Sequence, residues 1–552
     1  METITTIISM TLSAPLSYNT IILVFVVFII SYVSLLVGGG GKKSVANAAA
    51  NRLPPPSPRG LPVIGNLHQL GSLPHRSLRS LAAAHGPVML IRLGQVPAVV
   101  VSSASAAREV LQAQDHVFAG RPSLTIPRRL LYGCTDIAFA PHGAYWRGAR
   151  KMSVRHLLSP PRVRAYRAVR EQEVDALVRR VLEQACGAGG GVVRLSELLN
   201  DFAKDVAGRI VLGLRAAGDD GWRGKVDALL EESNVLLGAF HVGDYIPWLS
   251  WVSHVDGTDA RVTRAFEKMD RILEEMVDAA ATRGREMPLS DSGEEASGGD
   301  DAFIHVLLSL QQQQRQQQEE EPTAEWRLSR DNVKALLEDL FGAGTEATII
   351  VLEWAMAELL RNKGVMEKLQ REVRQAQARA RRSSSSSDII VGEQDLAGTG
   401  MEYLRAVIKE TMRLHTPGPL LLPHKSMEAT RISHGHGYDV PSDTMVIVNA
   451  WAIGRDPEAW ESPADEFRPE RFVGSGVDFR GHHFQLIPFG AGRRMCPGIN
   501  LAMSVVELAL ANLVARFDWA LPGAELELDM EETTGCTARK KAPLCAVATL
   551  LP

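Results

Sequence analysis

One cysteine stands in a segment whose residue types suit it to bind a metal ion. Cys496 lies within the sequence Phe-Gly-Ala-Gly-Arg-Arg-Met-Cys-Pro-Gly, residues 489–498. The glycines allow positive φ angles and a close approach of the backbone to a flat ligand. Arg493 and Arg494 supply positive charge, which favours a thiolate and can pair with carboxylates of a ligand. The segment therefore predicts a loop that presents one thiolate to one metal.

The residues that follow Cys496 predict a helix that begins just beyond the sulfur atom. Apolar residues from Leu501 to Leu513 recur at the spacing of one helix face. The N-terminal end of a helix carries partial positive charge, which also favours a thiolate. A zinc site is a poor interpretation, because no second cysteine is close in sequence and His482 and His483 give no familiar ligand spacing.

This segment resembles the haem-binding loop of the cytochromes P450, a family in which a cysteinate is the axial ligand of the haem iron. The residues that carry the resemblance are Phe489, Gly492, Arg494, Cys496 and Gly498. The resemblance implies that Cys496 binds the iron of haem b and that the other four residues belong to the cofactor site. The implied reaction inserts one oxygen atom from molecular oxygen into a small apolar substrate. The implied electrons come from NADPH through NADPH-cytochrome P450 reductase.

A second stretch resembles the helix that crosses the distal face of the haem in the same family. Ala343, Gly344, Glu346 and Thr348 fit the family pattern, whereas Ala347 stands where a threonine is usual. The resemblance implies that Glu346 and Thr348 deliver protons, a general acid and base function. The missing hydroxyl leaves an alternative open, an enzyme of this fold that dehydrates or isomerises its substrate without an external reductant.

Two hydrogen-bond donors stand one helical turn apart, Trp146 and Arg150, in a W-x-x-x-R sequence. In the cytochromes P450 this pair reaches a haem propionate, for which an indole N–H and a guanidinium are suitable donors. The resemblance therefore implies that Trp146, Arg150 and Arg494 bind the propionates. Without the other motifs, a surface arginine beside a core tryptophan would be the simpler interpretation.

Three further charged residues match a structural element of the family. Glu410 and Arg413 are three residues apart on a predicted helix, and Arg471 belongs to a Pro-Glu-Arg-Phe sequence. The resemblance implies that these three residues form a buried triad beneath the haem loop. Such a triad fixes the positions of the segments that it joins and takes no part in the chemistry.

The composition fits a large enzyme in a reducing compartment. The chain has 552 residues, of which 45% are hydrophobic and 22% charged, and its net charge is −4. A protein that binds nucleic acid would normally show a basic excess, so we expect no nucleic acid partner. The five cysteines form no C-x-x-C pair, and their odd number argues against a disulfide framework.

The N-terminal region predicts a membrane anchor followed by a linker. Residues 21–37 are almost wholly apolar, Lys42 and Lys43 follow them, and only Glu2 is charged before them. By the positive-inside rule the bulk of the chain lies in the cytosol. With the resemblance to microsomal members, this predicts a single-pass protein of the endoplasmic reticulum membrane. A cleaved signal peptide is the alternative, although the first residues carry no positive charge.

The predicted domain boundaries follow from these features. They are residues 1–41 for the anchor, 42–62 for the linker and proline-rich hinge, and 63–552 for the cytochrome P450 catalytic domain. The resemblance implies a mainly α fold with a smaller β region, the triangular cytochrome P450 prism. Residues 118–139 show few periodic features. In the family the matching segment is a loop that roofs the substrate pocket.

The motifs are most similar to those of the plant microsomal A-type branch. Parts of the sequence are similar to grass enzymes that oxidise indole-derived rings. We therefore consider indole-derived, terpenoid and phenylpropanoid compounds as substrate classes. A haem protein or membrane scaffold without catalytic activity is the remaining alternative.

Overall fold

Helices make up most of the described chain and strands a smaller part, as the sequence predicts. The computed structural model describes residues 53–550 except 188–190, 214–223, 226–231, 234, 287–301, 321–326, 384–389, 398–399, 436, 462, 524–526 and 534. The predicted anchor and the first half of the predicted linker lie outside the described residues. The domain boundaries therefore stay predictions.

The helices run along almost the whole described chain. In order they are α1 (Pro74–His85), α2 (Ala104–Arg108), α3 (Thr125–Leu130), α4 (Ala144–Ser153), α5 (Pro160–Ala165), α6 (Arg167–Cys186), α7 (Leu195–Leu212), α8 (Val242–Tyr245), α9 (Val252–Val255), α10 (Thr258–Glu286), α11 (Phe303–Glu320), α12 (Arg330–Arg361), α13 (Lys363–Ser383), α14 (Glu393–Leu396), α15 (Glu402–Leu414), α16 (Ala450–Ile453) and α17 (Ile499–Arg516). Helix α3 lies inside the segment that was expected to be a loop, so that expectation is wrong over these six residues.

The strands form three small sheets in the described chain. They are β1 (Val88–Leu93), β2 (Val96–Val101), β3 (Val192–Arg194), β4 (His424–Lys425), β5 (Thr430–Ile432), β6 (Tyr438–Val440), β7 (Met445–Val448), β8 (Phe517–Ala520) and β9 (Cys545–Leu550). The largest sheet has the order β1-β2-β7-β4, the second β3-β9-β8, and the third pairs β5 with β6. Strand β2 pairs in parallel with β7, which joins the N-terminal β region to a segment far along the chain.

Helix α12 is the central helix of the core. Its N-terminus has a capping box, in which Ser329 Oγ accepts from Asn332 N at 3.1 Å and Asn332 Oδ1 accepts from Ser329 N at 2.9 Å. Most of its side chains are buried, including Trp354, whose Nε1 donates to Ala538 O at 3.1 Å. This packing fixes α12 against the C-terminal part of the chain.

Helix α17 follows the cysteine loop and packs into the same core. Among the described residues it is the helix that is long and apolar enough to span a membrane, but 67% of that stretch is buried inside the protein. Its apolar residues therefore serve the core. Because α17 is held by this packing, the loop that precedes it is held as well.

The predicted triad lies in the same region of the core. Arg413 donates to Glu410 through Nε at 2.6 Å and through Nη2 at 2.7 Å, and both side chains are fully buried. Arg471 Nε lies 3.5 Å from Glu410 Oε1, an ion-pair distance that is too long for a good hydrogen bond. Arg413 also donates to Gly454 O at 2.6 Å, so it ties α15 to the segment after α16.

We predict that Arg413→Met lowers the free energy of unfolding by about 3–5 kcal/mol, because it leaves the Glu410 carboxylate buried beside fewer donors. Chemical unfolding followed by tryptophan fluorescence measures the change. The control is Arg468→Met, since Arg468 pairs with Glu461, whose side chain is 84% exposed. That variant should lose less than about 1 kcal/mol. Equal losses in the two variants would contradict the prediction.

Candidate cofactor site

The loop before α17 has a tightly specified backbone. Cys496 N donates to Phe489 O at 2.9 Å, which closes the loop. Gly492 has a φ of 66°, and a Cβ atom there would lie 1.8 Å from Leu111 O. Glycine is therefore required at 492 both by its conformation and by a protein backbone that lies against it. The sequence interpretation assigned this glycine to a flat ligand, and the structure adds the contact with Leu111.

Cys496 is a partly exposed residue, although its loop packs against the core. Burial raises the pKa of the Cys496 thiol, while the N–H of Gly498 and the positive charge of Arg150 lower it. The arginine that acts on the thiol is thus Arg150, from α4. Arg493, which the sequence interpretation placed beside the sulfur, pairs with Asp115 at 2.9 Å instead. Bound iron would remove the proton outright.

Helix α12 presents backbone rather than side chains at its middle. Ala343 and Gly344 are exposed, whereas Phe341 and Thr345 on either side are buried. A Cβ atom added at Gly344 would meet nothing within 4 Å. Exposed small residues in the centre of a core helix border an open space, which suits a broad ligand that packs against the helix.

Two arginines lie at the cysteine loop, of which Arg121 is buried and Arg494 partly buried. Arg121 Nη1 donates to Leu422 O at 2.9 Å and Pro423 O at 2.8 Å, and burial lowers its pKa to about 10. Arg494 Nη2 donates to Ala140 O at 2.6 Å, and burial and then repulsion from Arg121 lower its pKa to about 9. Burial disfavours both positive charges, so an anionic ligand beside them would stabilise the site. The propionates of haem fit this requirement.

The predicted propionate donors meet in one place. Arg494 lies over the Trp146 ring, with its guanidinium carbon 4.2 Å from the ring centre, and Arg150 lies 5.6 Å from the same centre. Their polar atoms bond to backbone oxygens here: Trp146 Nε1 donates to Ile137 O at 3.0 Å, and Arg150 Nη2 donates to Met495 O at 2.6 Å. Contact with propionates therefore stays a prediction for all three.

Sequence reasoning missed Arg121. The signal that could have revealed it is an arginine inside the otherwise apolar stretch Val117–Pro122, where a charge needs a specific partner. Its partners come from residues 138, 422 and 423, which no sequence pattern places next to it.

The predicted proton-delivery residues point in different directions. Thr348 Oγ1 donates to Gly344 O at 2.8 Å, so its hydroxyl turns back onto its own helix. Glu346 is buried and forms a salt bridge with Arg539 through both carboxylate oxygens. Thr537 Oγ1 also donates to Glu346 Oε1, at 2.9 Å. Both partners of Glu346 lie between Glu532 and Lys540, which pair as an antiparallel bridge. We call this segment the C-terminal hairpin. Sequence reasoning did not find these two partners.

Two aspartates, Asp136 fully buried and Asp339 partly buried, hold residues 137–139 in place. Ile137 N donates to Asp339 Oδ2 at 2.9 Å, and Phe139 N donates to Asp136 Oδ2 at 2.7 Å. Burial and then the charge of Asp339 raise the pKa of Asp136 to about 7, and burial raises the pKa of Asp339 to about 6. Asp339 therefore anchors the backbone of residues 137 and 138 to α12, whereas Asp136 closes a turn onto Phe139 within its own segment.

Comparison with known proteins matches the same features. A family model described as Cytochrome P450 matches residues 55–546. The chain is 43% identical over 540 residues to Cytochrome P450 736A117 of Prunus mume, covering 97% of this chain and 96% of that protein. It is 44% identical over 506 residues to Norfluorocurarine oxidase of Strychnos sp, covering 91% and 94%. A solved zebra fish cytochrome P450 with progesterone has a TM-score of 0.69 at 25% identity, covering 86% of this chain and 99% of that one.

We predict that Asp136→Asn raises the unfolding temperature at pH 8 and that this gain shrinks at pH 5. Between the ordinary pKa of 3.8 and about 7, folded Asp136 keeps a proton that the unfolded chain has lost. Wild-type stability therefore falls as pH rises through this range, and the amide removes that loss while it still accepts from Phe139 N.

Thermal unfolding at the two pH values measures the effect. Asp443→Asn is the control, because Asp443 is 77% exposed and should show no such pH dependence. A gain for Asp136→Asn that is equal at both pH values would contradict the prediction.

Proposed function

The chain belongs to the cytochrome P450 family, and from this we propose that it oxidises an apolar plant specialised metabolite with electrons that NADPH supplies through cytochrome P450 reductase. It is a monooxygenase, and its cofactor is haem b. The observation that carries the proposal is Cys496, a partly exposed residue that lies in a closed loop where the charge of Arg150 acts on its thiol. When bound, haem supplies the iron at which molecular oxygen is activated.

The residues of the chain have distinct tasks in this proposal. Cys496 binds the iron, and the N–H of Gly498 and the charge of Arg150 stabilise its thiolate. Arg121, Arg150 and Arg494 hold the propionates, together with Trp146. Each of these arginines would exchange part of its bonding to backbone oxygens for a charge-assisted bond to a carboxylate.

The space beside Ala343 and Gly344 holds the substrate next to the haem. Backbone and methyl groups at this surface favour an apolar molecule over a charged one. Among the relatives, one is named as an oxidase of norfluorocurarine, and none of those named above is called a dehydratase or isomerase. We therefore favour oxygen insertion into an indole-derived, terpenoid or phenylpropanoid compound.

The reductase is proposed to dock on the cysteine side of the haem. Gly492 and Arg493 are exposed there, so the loop that carries Cys496 is open to a protein partner. A short path from this surface to the sulfur suits electron transfer into the site.

A surface of exposed apolar residues supports the proposed attachment to the endoplasmic reticulum membrane. Trp248, Trp251 and Val255 are 42%, 48% and 70% exposed, and Leu61 is 50% exposed. The turn between β1 and β2 connects them, because Gln95 N donates to Tyr245 O at 2.8 Å and Gly94 N donates to Ile64 O at 3.2 Å. Exposed tryptophans on the same surface as Leu61, which belongs to the predicted hinge, suit a membrane–water interface, with the catalytic domain in the cytosol.

We predict that the full chain with NADPH and reductase converts at least one compound from a panel of indole, terpenoid and phenylpropanoid substrates. Cys496→Ala should lose both the product and the thiolate band of the reduced, carbon monoxide-bound spectrum. Cys545→Ala is the matched control, since Cys545 is also partly exposed but lies in β9, and it should keep both.

An unchanged spectrum in Cys496→Ala would refute the assignment of the iron ligand. Turnover by the wild type without NADPH would instead refute the monooxygenase proposal and favour the reductant-free alternative. A thiolate spectrum without any product or NADPH consumption would favour a haem scaffold.

We predict that Trp248→Ser with Trp251→Ser weakens binding of a chain that lacks residues 1–52 to phosphatidylcholine vesicles by about tenfold or more, because two large apolar side chains lose their burial in lipid. Vesicle flotation measures the bound fraction. Val473→Ser is the control, since Val473 is 42% exposed but lies beside the N-terminus of α15. Equal losses in the two variants would contradict the proposed membrane surface.

A further inference from the structure

The centre of α12 offers no free threonine hydroxyl of its own in the described chain. Residue 347 is alanine, Thr345 Oγ1 donates to Phe341 O at 3.0 Å, and Thr348 Oγ1 donates to Gly344 O at 2.8 Å. Both hydroxyl hydrogens are thus engaged with the backbone of the helix. A proton that travels beside α12 needs another side chain to carry it.

The C-terminal hairpin brings a hydroxyl to the same place. Thr537 Oγ1 donates to Glu346 Oε1 at 2.9 Å, across 191 positions of sequence. Arg539 binds both oxygens of the Glu346 carboxylate from the same hairpin. The Glu346 side chain is 8% exposed and the Arg539 side chain 39%, so the arginine connects the buried carboxylate with water.

The hairpin is held against α12 by backbone contacts. Ala538, which lies between Thr537 and Arg539, accepts from Trp354 Nε1 at 3.1 Å and donates through its N–H to Pro417 O at 3.0 Å. The backbone of Gly238 covers the hairpin tip, since a Cβ atom there would lie 2.5 Å from Cys536 N. The position of Thr537 is therefore set by the fold and not by its own side chain.

We propose that Thr537 supplies the hydroxyl that carries protons into the distal cavity, in place of the side chain that Ala347 lacks, and that Arg539 is the positioning residue for Glu346. The inference rests on the proposed monooxygenase function and deepens it. Glu346 contacts both Thr537 and Arg539 directly, so these contacts form without haem.

The proton transfer involves only O–H bonds. After a proton from water has reached Glu346, the acid donates it to the Thr537 oxygen, which reverses the hydrogen bond seen in the structure, while the Thr537 hydrogen passes to an acceptor in the cavity. The carboxylate that remains is stabilised by the Arg539 guanidinium. A proton from water then restores the acid form, so one proton enters from water for each proton delivered.

The test compares Thr537→Val, which removes the hydroxyl but keeps the shape, with Thr537→Ser, which restores the hydroxyl. With NADPH, reductase and indole as the probe, Thr537→Val should raise the hydrogen peroxide released per NADPH by about tenfold, while Thr537→Ser stays near wild type. Adding Ala347→Thr to Thr537→Val should return the ratio toward wild type, because a hydroxyl is again present. The same Ala347→Thr change in the wild type should have a smaller effect.

Thr533→Val is the matched control in the same hairpin. Thr533 is half-buried, and its hydroxyl lies 3.4 Å from the backbone oxygen of Arg539 without contacting Glu346. This variant should keep the wild-type ratio. An unchanged ratio in Thr537→Val, an equal rise in Thr533→Val, or no recovery with Ala347→Thr would each overturn the inference.

A second measurement does not depend on turnover. In the haem-loaded protein, the unfolding temperatures of Thr537→Val, Glu346→Gln and the double variant should be non-additive, because the two residues share one hydrogen bond. Additive shifts would overturn the inference even if the wild type proved inactive. A wild type that consumes no NADPH would count against the proposed function alone.

The positioning role of Arg539 is tested by two substitutions. Arg539→Gln should raise the hydrogen peroxide released per NADPH, because Glu346 loses the guanidinium that holds both of its oxygens. Arg539→Lys keeps a donor of the same charge and should recover part of the wild-type ratio. An unchanged ratio in Arg539→Gln, or no recovery in Arg539→Lys, would overturn the positioning role.

Discussion

Charge held inside the protein is the constraint on which the site depends. An ionised group in the interior needs an opposite charge or several hydrogen bonds, since burial otherwise favours its neutral form. Arg121 and Arg494 satisfy this with backbone oxygens, yet burial still lowers both pKa values. The folded chain thus maintains one buried and one partly buried cation, and the charge of Asp136 acts on both. A dianionic cofactor would add negative charge beside them.

The carboxyl groups near the middle of α12 also avoid an uncompensated charge, and they do so in two ways. Glu346 is matched by Arg539 and Thr537, so its charge is compensated locally. Asp136 and Asp339 instead accept from backbone N–H groups of residues 137–139, and the charge of Asp339 adds to burial in raising the pKa of Asp136. One carboxylate is therefore compensated by a cation and a hydroxyl. The other two are suited to hold the segment above the cavity in place.

The sequence was sufficient where a motif is local. The loop around Cys496, the helix that follows it and the pairing of Glu410 with Arg413 depend on residues within one or two turns of each other. Helix α3 was missed because its Thr-Ile-Pro-Arg-Arg-Leu sequence is short and contains a proline near its start, where a helix tolerates it. Arg121 and Arg539 were missed for another reason. Their partners lie hundreds of positions away, so only the fold brings them together.

In helix α12, the open space needed beside the helix takes precedence over helix propensity. Glycines at 342 and 344 each cost roughly 1 kcal/mol in a helix interior relative to alanine. The capping box at Ser329 and the burial of Trp354 stabilise the helix on either side of them. These interactions offset the low helix propensity of the two glycines, so the exposed backbone at Gly344 stays helical. A larger side chain at that position would improve helix propensity but would project into the space that the cofactor and substrate need.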